Sequence, residues 1–124
     1  MGIRKSGQTV YLNELKGELL ALRYLGRDTT VTGEFGPQDA AVASVVHFTR
    51  GESGLSARLL GETLVFQRAV QSEIRGSSDW SVGVFEEVNR PLPNVPNATM
   101  YQLTEPDEEI EVIIEAMEQA NITV

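Results

Sequence analysis

The sequence predicts a small, mostly β domain. Five strands are expected to close into a barrel, with a helix between the third and fourth strands and a second, acidic amphipathic helix at the C-terminus. Three observations carry this. Apolar runs of strand length recur between clusters of Gly, Ser, Pro and Asn. Two segments switch to helical spacing: Phe66, Val70 and Ile74, then Ile110, Ile113, Ile114 and Met117. Finally, 124 residues at 41% hydrophobic and 23% charged content suffice for one core and are too apolar for disorder.

Residues 1–16 read as an N-terminal arm, in which 9–15 fit either a strand or a short helical turn. The barrel is expected over 17–103. Leu19 to Leu25 is an apolar run of strand length, and the Thr- and Gly-rich stretch Arg27 to Gly36 reads as a strand end or extended loop. Asp39 to Phe48 is the second strand. Val42, Ser44, Val46 and Phe48 share one face and Ala41, Ala43, Val45 and His47 the other, so both faces should be enclosed. Arg50 to Gly54 is turn chemistry, and Leu55 to Phe66 holds the third strand. The short helix follows, with Gly76 at its end. Trp80 to Val88 alternates as the fourth strand. The loop at 89–98 contains Pro91, Pro93 and Pro96, which cannot donate to a ladder. Thr99 to Leu103 is the fifth strand. Residues 104–124 form the last helix, with Thr104 as cap and Pro106 and four acids in its first turn. Its stripe of Ile110, Ile113, Ile114, Met117 and Asn121 should lie on the barrel or on a partner. Three strands, a helix and two strands is the element order of an oligonucleotide-binding (OB) barrel.

The formal charge of −8 divides unevenly. Residues 1–103 hold ten bases and eleven acids, a net of −1, whereas 104–124 hold seven acids and no base. The body is nearly neutral and the tail carries the charge, as in interaction segments and in ordinary solvated helices. No cysteine is present, which excludes disulfides, thiolate zinc sites and cysteine nucleophiles. No apolar run approaches the roughly 18 residues of a membrane span, and Met1 to Gln8 is not followed by the apolar core of a secretory leader. His47 is the single histidine and reads as a half-buried strand residue. Glu86 and Glu87 would point to opposite faces of a strand and cannot pair. Gly33-Glu34-Phe35-Gly36 lacks the lysine and hydroxyl of a phosphate loop. No enzyme, cofactor or metal site is therefore expected.

Binding a single strand asks for less: a groove, cations for phosphates and flat side chains for bases. The candidates are Lys16, Arg23, Tyr24, Arg27, Phe35, Arg50 and Trp80. Arg27 and Arg50 border loops, Phe35 sits in a Gly-rich loop, and Trp80 opens the fourth strand. Arg23 and Tyr24 are adjacent and should face opposite ways, so one groove can use only one of them.

From Leu15 to Ala120 the chain resembles the single-stranded-DNA-binding proteins of actinobacterial phages and prophages. The resemblance rests on Leu15-Lys16-Gly17-Glu18-Leu19-Leu20, on Gly33-Glu34-Phe35-Gly36-Pro37-Gln38-Asp39-Ala40, on Glu62 to Gln67 running into Ala69 to Arg75, and on Leu103-Thr104-Glu105-Pro106. Between Ser77 and Pro96 the chain departs from the basic, glycine-rich pattern of that family, which leaves the contribution of this stretch to DNA contact open. The resemblance implies an OB-fold that binds single-stranded DNA in phage replication or recombination, in the cytoplasm of a bacterial host. A replication or recombination protein would be a partner through the acidic helix, and a homo-oligomer is compatible with the sequence. The alternative is a non-enzymatic protein-interaction module, a phage assembly or regulatory component, with the barrel as scaffold.

Overall fold

A computed structural model of the chain describes residues 10–34 and 36–124. A 3₁₀ turn, Leu12–Leu15, precedes β1 (Leu19–Gly33), β2 (Gly36–Gly51), β3 (Gly54–Val65), α1 (Arg68–Arg75), β4 (Ser81–Asn89), β5 (Thr99–Thr104) and α2 (Ile110–Gln119). The strands form one antiparallel sheet in the order β3-β2-β1-β4-β5.

The sheet is mostly β with two helices, as expected, but it does not close. With every neighbour antiparallel, β3 and β5 run the same way, so closure would need a parallel pair between them. That position on β3 is taken. Val10 forms a parallel bridge to Thr63, its N–H donates to Glu62 O at 2.8 Å, and Thr63 Oγ1 donates to Val10 O at 2.7 Å. The N-terminal segment thus occupies the β3 edge at Thr63 and satisfies the Glu62 carbonyl that a closing strand would have used.

Both faces of β1 and β2 are buried because a helix lies on each side. On the first face, α1 brings Val70 and Ile74 onto Leu20, Leu22, Ala41, Ala43, Val45 and Val65, joined by Val10, Leu12 and Phe85. On the second face, α2 brings Ile113, Ala116 and Met117 onto Leu19, Ala21, Val46 and Phe48. Alternate residues of one strand therefore feed two different cores, which is why Leu19 to Leu22 and the neighbours Val45 and Val46 are apolar without alternation.

One open local reading is decided and two expectations are corrected. Of the two readings of the stretch after Arg27, the strand end holds and the loop does not: β1 and β2 pair as far as Gly33 and Gly36, after a register shift between Tyr24 and Asp28. Phe66 precedes α1 instead of starting it. Thr104 does not cap α2, because it completes β5 opposite Val84 and its hydroxyl donates to Glu86 at 2.7 Å. The helix opens at Ile110, which is 55% exposed, so the buried stripe is Ile113, Ala116 and Met117. At the other end Asn121 takes φ 60°, and Asn121 and Ile122 donate back to Glu118 O and Met117 O at 3.0 and 2.9 Å. This is the paired closure of a Schellman motif, and it delivers Ile122 into the second core.

Candidate nucleic-acid interface

The sheet places the candidate residues on different surfaces. Arg23 follows Leu19 and Ala21 on the second face of β1, just past the part covered by α2. Its guanidinium lies over the Trp80 ring, 4.6 Å from the centroid. The indole packs against the second core, and its Nε1 donates to Thr123 O at 2.9 Å. The ring is thus fixed by the tail of the chain, and the arginine is fixed by the ring. Arg23 pairs with Ser44, which pairs with Glu62, so these three form one row across β1, β2 and β3. Arg23 has no carboxylate partner among the described residues.

Tyr24 turns the other way. It packs on the first core, and its hydroxyl donates to Asp28 at 2.9 Å, with the Arg75 guanidinium 5.9 Å from its ring. Arg75 also donates to Asp28 at 2.9 Å, and this hydrogen bond, then that of Tyr24, holds the Asp28 carboxyl below the usual range. Tyr24 is therefore committed to a structural network.

Arg27 and Arg50 are also spent. Arg27 Nη2 donates to both carboxylate oxygens of Glu62, at 2.8 and 3.0 Å. Arg50 forms a two-point pair with Glu108, from Nε to Oε2 and from Nη2 to Oε1 at 3.0 Å. The pair lowers the Glu108 carboxyl below its ordinary value. Lys16 lies over Tyr101 at 5.1 Å, a ring that stacks on Phe85 within the first core. The contact with Tyr101 raises the Lys16 ammonium above its usual value. Lys16 is exposed, yet it belongs to the opposite side of the sheet from Arg23. Phe35 lies outside the described residues.

The structure thus brings Arg23 and Trp80 together and separates Lys16 and Tyr24 from them. Arg27 is adjacent to the Arg23 row through its partner Glu62. Two groups outside the sequence candidates stand out in the structure: Tyr11, which is 64% exposed, and Arg68, an exposed cation with no carboxylate partner among the described residues.

His47 is half-buried in β2, with Nε2 3.6 Å from Glu18 Oε2. Among the described residues no group of three His, Asp or Glu is placed to hold a metal ion, and no helix is long and apolar enough to cross a membrane. Comparison with protein-family models, with curated proteins and with solved structures finds no match to the chain.

Proposed function

We propose that this chain is a non-catalytic protein that binds single-stranded DNA in phage replication or recombination. The strand would run across the second face of β1–β3 beyond α2. The observation that carries the reading is the Arg23–Trp80 pair: an unspent, pre-oriented guanidinium at the centre of an open sheet face. A planar cation fixed on an indole offers a base a flat surface and a phosphate a charge, the two chemistries of sequence-tolerant binding. The element order adds support. Three strands, a helix and two strands, with β1 between β2 and β4, is the OB arrangement without its closing pair. Arg27 and Glu62 beside the row give an exchangeable ion pair, from which an incoming phosphate can take the guanidinium.

The test is a fluorescence anisotropy titration of a labelled oligothymidine. Arg23→Ala should weaken binding about tenfold, within the roughly 1–3 kcal/mol of a stacking contact. The second reading is a protein-interaction module. It is favoured by Ile110 and Val112, 55% and 43% exposed on the acidic helix, beside Glu111 and Glu115. A basic, apolar partner surface would fit that strip, and Ile110→Ser would then abolish capture without affecting DNA.

A further inference from the structure

We propose that the polar groove between the far ends of β1 and β2 and helix α1, on the face of the sheet opposite Arg23, is a second subsite for the same single strand, taking one nucleotide where a longer strand passes around the edge of the sheet. This rests on the single-strand reading above. The groove holds about 1070 Å³ and is bounded by Asp28–Thr30 and Pro37–Asp39 on one wall and by Phe66, Arg68, Gln71 and Arg75 on the other. Its two walls are braced to each other. The Gln71 amide donates to Asp39 O at 3.2 Å and to Val65 O at 2.7 Å, and Arg75 donates to Asp28 at 2.9 Å across the gap. The groove therefore exists before a ligand arrives, which removes an ordering cost from binding.

Its acids are occupied and one cation is not. Asp28 accepts from Arg75 and Tyr24, and Asp39 accepts from Thr30 at 2.8 Å. Arg68 is exposed and has no carboxylate partner among the described residues. Two positions before it stands Phe66, half-buried and belonging to neither core cluster of the described residues. An unspent guanidinium and an uncommitted aromatic ring in one polar groove match the phosphate and the base of a nucleotide. A purely apolar ligand would leave the Arg68, Asp39 and Thr30 groups desolvated, so the lining selects against it.

The experiment compares Arg68→Glu with Arg58→Glu, the same charge change on exposed β3 away from the groove, and with Arg23→Ala. Each is titrated with oligothymidines of about 8 and about 20 nucleotides, one within and one beyond the range of typical site sizes, and each is melted to confirm folding. Arg68→Glu should weaken binding of the longer oligonucleotide about tenfold and make its log–log salt slope about one unit shallower. The shorter oligonucleotide, held by the Arg23 face alone, should change less than about threefold, and Arg58→Glu should change both by less than that. Equal losses for Arg68→Glu and Arg58→Glu would reduce the effect to overall charge and overturn the subsite. So would an unchanged Arg68→Glu beside a weakened Arg23→Ala. If Arg23→Ala is also unchanged, or the native chain does not bind, the single-strand reading itself fails and takes the subsite with it.

Discussion

Arg23 and Trp80 divide the labour between binding and stability. Arg23 is half-buried and lies over the Trp80 ring, so Arg23→Ala should leave the melting temperature within a few degrees while weakening oligonucleotide binding. Trp80 is tied to the second core and to Thr123. Trp80→Phe keeps a ring but loses that hydrogen bond, for a cost of about 1 kcal/mol in a denaturant melt. Trp80→Ala should cost at least twice as much and weaken binding too, because Arg23 loses its support. A second residue-scale expectation concerns acid. Asp28 and Glu108 are held low in the folded chain, chiefly by their hydrogen bonds to Arg75 and Arg50. Their contribution is therefore full above the ordinary carboxylate range and is lost as pH falls below that range through the depressed values. Glu73 works the other way, since burial raises its carboxyl and its proton is bound more readily in the folded state. Glu108→Gln should flatten the acid limb of the stability curve, and an unchanged limb would mean that the exposed pair is fully screened. Neither ion pair of Arg27 or Arg50 was legible in the sequence. Their partners lie 35 and 58 positions away, and the local loop context that marked them as free cations carries no information about such distant carboxylates.

Among the elements, α2 shows most clearly what pattern does and does not specify. The helical period was readable, and Ile113 and Met117 were in the predicted stripe. The rotation and the start were not. Thr104 reads locally as a cap, but its backbone has a better use in the ladder to β4, and a long-range pair overrides a local preference. Ile113→Ala should cost about 2–5 kcal/mol, as for other buried aliphatic truncations, while Ile110→Ala should be nearly neutral. The end of α2 gives a sharper check. Asn121→Gly should be neutral or slightly stabilising at its positive φ, whereas Asn121→Val should lower the melting temperature, because a β-branched residue is strained there. In β4, a Cβ on Gly83 would stand 2.6 Å from Thr104 O and 2.9 Å from the Leu103 Cβ. Gly83→Ala should then cost about 1–3 kcal/mol by forcing β5 away. The outer half of the β1–β2 hairpin stayed undecided between strand and loop for a related reason. Both of its strands are polar and exposed, so no apolar alternation marks them, and only their mutual pairing reveals the strand.

At the scale of the whole molecule, one sheet is covered by a helix on each face. The doubly apolar β1 and β2 announced that enclosure, but not the failure to close, because the edge partner of β3 is a segment that composition marks only as an arm. The acidic tail is anchored at both ends, by Arg50–Glu108 and by Trp80–Thr123, with Ile113, Ala116 and Met117 docked between. Deleting 105–124 would uncover Leu19, Ala21, Val46 and Phe48 and should lower thermal stability sharply. Any folded remainder should bind DNA more tightly at low salt, since seven acids leave with the tail. The proposed binding face is most directly tested by titrating the native chain and Arg23→Ala with single-stranded and duplex oligonucleotides over a range of salt. The expected result is preference for the single strand, a shallow log–log slope on the order of −2 to −4 from a nearly neutral body, and a loss of about tenfold in the variant. Equal affinity for duplex, or an Arg23→Ala variant that binds as tightly as the native chain, would contradict it.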